Sequence, residues 1–224
     1  MKNIFRISGI ILSIILIQSC KKDEDSNIKI TDADGNVYTS VTIGTQVWMV
    51  ENLKTTKYND GTGIPLVTDD VQWSNLATGA FCWYENNISN KDIYGALYNW
   101  HAVSTGNLCP IGWHVPTDAE WTTLTTYLGG ESVAGGKLKE TGTTHWTTPN
   151  TDATNEMGFT ALPGGSLYNP VGAYDGNGGN GHWWSSNSNS ILNAWIMVMF
   201  YGNASVAMGS FGKHGGCSVR CVKD

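Results

Sequence analysis

The sequence predicts an α+β fold of short elements joined by tight turns, and three observations carry that expectation. With 27 glycines and 10 tryptophans in 224 residues, the composition suits a turn-rich chain and not a helix bundle or coiled coil. Short strand patterns separated by glycine turns open the chain, and strands and loops close it. Between them sits a helix with both a start and a stop signal. Hydrophobic residues at 41% and aromatics at 11% suffice to bury a core, and the length suits one domain.

Order begins near Ile28. Ile28 to Ile30, the turn Asp32-Ala33-Asp34-Gly35-Asn36, and Val37 to Ile43 read as strand, turn and strand. The acidic spacing superficially resembles a calcium loop, but the glycine falls at the wrong place and no glutamate closes a loop of about twelve residues. A second turn at Gly44-Thr45 leads into Gln46 to Met49, and Asn59 to Gly63 opens a loop. A helix is expected from Asp92 to Ala102, where Ile93, Ala96, Leu97 and Trp100 form one apolar stripe. The strongest local signal follows: Thr117 and Glu120 stand at capping-box spacing, the helix runs on through Leu124 to Leu128, and Gly129 ends it. A short helical turn is expected over Val133 to Lys139. Gly164 to Gly181 reads as a long glycine-rich loop. Asn193 to Tyr201 and Ala204 to Gly209 read as a final pair of strands around Gly202-Asn203.

The N-terminus reads as an address. Lys2 and Arg6 precede an apolar run from Ile7 to Ile17, which is shorter than the roughly 20 residues a membrane span needs. Ile17-Gln18-Ser19-Cys20 resembles the lipobox of bacterial lipoproteins, so residues 1–19 are expected to be a signal peptide and Cys20 to carry the lipid. Lys21-Lys22-Asp23-Glu24-Asp25 looks like the acidic signal that sends Bacteroidota lipoproteins to the outer face of the outer membrane. Residues 20–27 would then be a lipidated tether and residues 28–224 the domain. The membrane is the expected partner through that anchor, at the cell surface. With 13 Lys and Arg against 19 Asp and Glu, and a net charge of -6, nothing supports nucleic-acid binding by counterion release.

Four cysteines remain beside Cys20: Cys82, Cys109, Cys217 and Cys221. An even number suits an oxidising compartment. Cys217 to Cys221 reads as extended chain, where four steps of about 3.3 Å separate the Cα atoms by about 13 Å, too far for a bridge. Cys82 and Cys109 then each need a partner at the C-terminus, unless they pair with one another. Cys109 with Cys221 is the preferred pairing and Cys82 with Cys217 the second. No CxxC or His-x-x-x-His spacing suggests a metal, and no cofactor is implied.

Several motifs occur in a recognisable order. They include Asp34-Gly35-Asn36-Val37-Tyr38, Val47-Trp48-Met49-Val50-Glu51-Asn52-Leu53, Tyr94-Gly95-Ala96-Leu97-Tyr98-Asn99-Trp100 and Cys109-Pro110-Ile111-Gly112-Trp113-His114-Val115-Pro116. Gly158-Phe159-Thr160-Ala161-Leu162-Pro163-Gly164-Gly165, Trp183-Trp184-Ser185-Ser186 and Ser218-Val219-Arg220-Cys221-Val222 complete the set. Together they resemble the Fibrobacter succinogenes major paralogous domain over nearly the whole mature chain, departing at Cys217 where an aromatic residue is expected. The resemblance implies a C-type-lectin-like fold, with two main helices, long loops and a twisted antiparallel sheet whose terminal strands meet. It implies little about activity.

Two relatives of that fold can be held against the residues. Lectins bind sugar through calcium held by Glu-Pro-Asn or Gln-Pro-Asp and Trp-Asn-Asp triplets, and neither occurs here. The formylglycine-generating enzyme shares the look of Val115 to Trp121 and of Arg220, and Cys217 with Cys221 could imitate its cysteine pair. A Ser185, His114 and Asp118 set lacks a nucleophile elbow. The five histidines, His101, His114, His145, His182 and His214, read as structural or surface residues. Trp48, Trp100, Trp113 and Trp121 are expected in the core. Trp83, Trp146, Trp183 and Trp184 lie beside Gly-, Asn- and Ser-rich segments and are the candidate ligand-binding residues. The expectation is a non-catalytic binding or adhesion module for a polysaccharide or an envelope protein. The alternatives are a formylglycine-type oxidase and a purely structural envelope protein.

Overall fold

The computed structural model describes residues 29–168 and 173–224. The expected signal peptide, the lipid site Cys20, the tether and the first residue of the domain lie outside the described residues. Among the described residues the chain is mixed α+β, with sheet predominating. Its elements in order are β1 (Ile30–Thr31), β2 (Val37–Tyr38), β3 (Ser40–Ile43), β4 (Gln46–Met49), α1 (Asp70–Ser74) and β5 (Phe81–Cys82). After 3-10 turns at Tyr84–Asn86 and Ile88–Asn90 come α2 (Lys91–Tyr94), β6 (Leu97–Asn99), α3 (Trp100–Val103), β7 (Trp113–His114), α4 (Asp118–Tyr127) and α5 (Glu131–Leu138). The last are β8 (Gly164–Tyr168), β9 (Ala173–Asn177), β10 (Asn180–Ser188), β11 (Asn193–Phe200), β12 (Val206–Gly212), β13 (Gly216–Cys217) and β14 (Val222–Lys223).

The strands form a β1-β2 hairpin, a sheet ordered β12-β11-β10-β8-β13-β6-β5 with β9 paired to β8, and a four-stranded sheet ordered β3-β4-β14-β7. The C-terminal strand thus lies between two early ones, with Val222 opposite both Trp48 and His114. The β1-β2 turn is closed by Asp32, whose carboxylate accepts from the amides of Asp34 and Asn36 at 2.9 Å each and from the Tyr38 hydroxyl at 2.6 Å. The carboxylate therefore serves the hairpin. The α4 capping box is complete: Glu120 N–H donates to Thr117 Oγ1 at 3.2 Å and Thr117 N–H donates to Glu120 Oε2 at 2.8 Å.

Two expected elements differ. The helix from Asp92 to Ala102 is divided into α2, β6 and α3, and Ile93, placed on its inner stripe, is 44% exposed. Gly95 divides it. Its φ is +76°, and a Cβ there would lie 2.7 Å from the Leu53 carbonyl oxygen, so this close crossing with the 52–53 segment overrides the local helical pattern. The expected loop from Gly164 to Gly181 instead contains the β8-β9 hairpin and the start of β10. Glycine is used there for close packing, since a Cβ on Gly165 would meet the Tyr84 ring at 2.7 Å.

Both Trp183 and Trp184 are fully buried because β10 is an interior strand with protein on both faces. Trp183 packs in a cluster with Trp48, Trp121, Leu124 and Phe159, and Trp184 in another with Met49, Tyr98, Ala194 and Val219. Alternation along the strand sends one ring to each side. Trp48 and Trp121 meet at 4.7 Å between centroids, as a strand-to-helix contact under α4.

Candidate functional site

The tryptophans chosen as ligand contacts are core residues. Trp83 is 5% exposed, Trp146 1%, and Trp183 and Trp184 0%. Each indole N–H of the last three is also spent inside the protein: Trp146 Nε1 donates to the Ala161 carbonyl at 2.9 Å, Trp183 Nε1 to Asn52 Oδ1 at 2.8 Å, and Trp184 Nε1 to the Tyr98 carbonyl at 2.7 Å. All four rings are buried, so they offer no stacking surface.

A disulfide joins Cys109 to Cys221, while Cys82 and Cys217 are buried free thiols. The expected Cys82–Cys217 pairing is therefore corrected, and register supplies the reason. Cys217 lies opposite Tyr98 on one side of β6, whereas Cys82 lies opposite Leu97 on its other side. The two thiols are a strand apart and on opposite faces of the sheet. Burial pushes the Cys82 thiol up to about 12 and the Cys217 thiol well above its ordinary value. Cys221, bridged to Cys109, is not available to form the oxidase-like pair with Cys217.

What the fold does assemble is a cleft of about 330 Å³ lined by residues from five chain segments, including Asn52, Asp92, Ile93, His145, Thr160 and Arg220. Arg220 precedes β14 and is 1% exposed. Its Nη2 donates to Asn52 Oδ1 at 2.9 Å, its Nη1 to the Phe159 carbonyl, and its Nε has no partner. The guanidinium carbon lies 4.2 Å from the Phe159 ring centroid, a cation–π contact. Burial pushes its pKa down to about 9, against the pull of Glu51, so it remains charged at neutral pH. Asn52 is the hinge of this arrangement. Its Oδ1 takes both Arg220 and Trp183, and its Nδ2 donates to the Tyr94 carbonyl at 2.9 Å.

Around this floor the charged groups are held in place. Asp92 pairs with Lys54 at 2.8 Å, and Glu51 accepts from the Thr39 amide and hydroxyl at 2.8 and 2.9 Å. His145 Nδ1 meets the Glu140 carboxylate at 2.8 and 3.0 Å, which fixes the ring by its Nδ1 side. The cleft thus presents donors, acceptors and the apolar Val50, Ile93 and Leu162 together. Among the described residues no group of three or more His, Cys, Asp or Glu side chains is placed to hold a metal ion.

Residues 41–223 match the Fibrobacter succinogenes major domain. The chain belongs to that family. No curated protein and no solved structure matches it. In this family member Asn52 and Arg220 sit within the motifs that carried the resemblance, yet nothing local marks them as meeting. Glu140 and His145 carry no recognisable spacing, and the irregular segment between them brings the two together.

Proposed function

We propose that this chain is a lipid-anchored outer-membrane protein at the cell surface, whose C-type-lectin-like domain holds a glycan in the cleft above Arg220 without catalysing a reaction. The observation that carries the reading is the cleft. Its volume of about 330 Å³ falls within the usual small-ligand range of about 300–1,000 Å³. Sugar hydroxyls need paired donors and acceptors beside a small apolar surface, and Asn52, Asp92, His145, Thr160 and Ile93 supply that mixture. With the four tryptophans buried, recognition rests on hydrogen bonds and not on stacking. The C-type-lectin-like assignment is supported by β14 lying between β4 and β7, which brings the two ends of the domain into one sheet. The anchor is supported by the Ile7 to Ile17 run, the Ile17-Gln18-Ser19-Cys20 segment that closes it, and the acidic residues after Cys20.

The test is a binding screen of the full chain on immobilised envelope polysaccharides and isolated envelope proteins. Saturable glycan binding should be lost in His145→Ala and in Ile93→Asp, with melting temperatures unchanged. Binding that survives both substitutions removes the cleft from the reading. Binding to an envelope protein alone replaces the glycan, and absence of any binding favours a structural role. Separately, Cys20→Ala should abolish incorporation of labelled fatty acid.

A further inference from the structure

His114 on β7 stands between two carboxylates brought to it by different parts of the chain. Its Nε2 lies 2.9 Å from Glu120 Oε1, in the first turn of α4, and its Nδ1 lies 2.7 Å from Asp224 Oδ1, just beyond β14. A carboxylate only accepts hydrogen bonds, and a neutral imidazole has one N–H to give. Both contacts are therefore hydrogen bonds only when the ring carries two protons and a positive charge.

The two partners are held differently. Glu120 is fixed through its other oxygen, since Oε2 accepts from the Thr117 amide and hydroxyl at 2.8 Å each, within the capping box. Asp224 has its amide donating to the Gly112 carbonyl at 3.1 Å, and its side chain is 62% exposed. Register places Val222 opposite His114 and Lys223 opposite Trp113, so the Asp224 contact continues the β7–β14 pairing past its last strand residue. The charges that act on the ring are those of Glu120 and Asp224. Lys223 on β14 and Asp118 on α4 form no ion pair with it, and β4, on the other side of β14, carries no titratable residue.

We propose that His114 is a pH-sensitive clasp, which as an imidazolium joins α4 to the Asp224 end of β14 and on losing a proton releases Asp224. The neutral ring keeps its remaining proton on Nε2, toward the pinned Glu120. Its Nδ1 lone pair then faces the Asp224 carboxylate, two acceptors with nothing between them, and water takes over at the exposed oxygen. Against partial burial, which pushes it down, the hydrogen bonds and charges of Asp224 and Glu120 hold the His114 pKa above its ordinary value of 6.5. The ring's contribution is thus fully present below 6.5 and is lost as pH rises through the raised value. None of these residues lines the cleft, so the clasp does not depend on the glycan reading.

The test follows the His114 imidazole and the Asp224 amide by NMR while the ¹⁵N-labelled full chain is titrated across neutral pH. His114 should lose its proton above pH 6.5, and the shift and exchange protection of the Asp224 amide should change with the same midpoint. Asp224→Asn, and Glu120→Gln, which keeps a capping-box residue at its position, should each move the His114 midpoint down. His114→Gln should flatten the pH response of the Asp224 amide. If His114→Gln folds poorly, the wild-type titration and the exposed Asp224→Asn substitution still decide. A midpoint at or below 6.5, an Asp224 amide that ignores the titration of the ring or responds equally in His114→Gln, or an unchanged midpoint in either carboxylate variant would overturn the clasp.

Discussion

Lys139 and Arg220 are both buried cations, and among the described residues neither forms an ion pair with a carboxylate. They are handled differently. The Lys139 ammonium has three N–H groups and donates to three main-chain carbonyls, of Thr151, Phe200 and Asn203, at 3.0, 3.0 and 2.8 Å. Its donors are fully used, and it fastens the end of α5 to two loops. Arg220 has five N–H groups, a side-chain acceptor shared with Trp183, an Nε without partner, and a cleft beside it. A cation with no spare donor is a structural peg. One with spare donors next to a cavity can still respond to a ligand.

The largest effect should come from breaking the link behind Arg220. Cys109–Cys221 closes a loop with a sequence separation of 112, and a loop of that size contributes about 4–5 kcal/mol in the chain-entropy model. Cys109→Ser should cost most of that in urea unfolding and should disturb the Arg220 end first. Amide exchange rising around Phe159 and Arg220 before it rises around Lys139 would sharpen the contrast, and a simultaneous rise would erase it.

Next is Lys139→Met, which keeps the apolar stem and removes the three donors. An orphaned buried carbonyl costs about 1–3 kcal/mol, so a loss of about 3 kcal/mol or more is expected in the same unfolding experiment. The pH dependence has a definite sign. Burial pushes Lys139 down to about 8 from an ordinary value of 10.5. Between those values the unfolded chain binds more protons than the folded one, so this residue's contribution to stability rises with pH there and is flat below. The Met variant should lose that part of the pH profile. A profile identical to wild type would show that Lys139 stays charged throughout.

How far either cation was legible in the sequence depends on the range of the interactions that define it. The α4 capping box was readable because Thr117 and Glu120 lie within one turn. The Asp92 to Ala102 helix was misread because what breaks it, the approach of Leu53 to Gly95, comes from another part of the chain. Trp183 and Trp184 sit in a composition that suggests an exposed turn, and only the central position of β10 buries both. Cys82 and Cys217 needed the register across β6. The cleft was the least legible feature, since Asn52, His145 and Arg220 come from distant segments and each has an ordinary structural reading on its own.

A smaller effect is expected from Asn52→Ala. The substitution removes the acceptor shared by Arg220 and Trp183 and the donor to Tyr94, leaving buried donors without partners. About 2–3 kcal/mol should be lost. Because the peg at Lys139 does not touch Asn52, combining Asn52→Ala with Lys139→Met should give additive losses. Clear non-additivity would mean that the two cations belong to one cooperative network.

The smallest effect on stability, and the most informative for function, belongs to His145→Ala. The Glu140–His145 contact is partly solvent-exposed, with side-chain exposures of 22% and 27%, and such pairs contribute less than about 1 kcal/mol. Its loss should therefore barely move the unfolding midpoint. The ring is nonetheless held at the cleft by the Glu140 carboxylate, and removing it deletes a polar group from the lining without disturbing the Arg220 floor. Glycan affinity should fall at least about tenfold, equivalent to about 1.4 kcal/mol, while Glu140→Gln, which keeps a hydrogen-bonding partner for the ring, should retain most of it. A His145→Ala protein that binds as well as wild type would place the ligand elsewhere and make Arg220 a second structural peg, whereas one that unfolds early would show that His145 belongs to the framework of the cleft and not to its recognition surface.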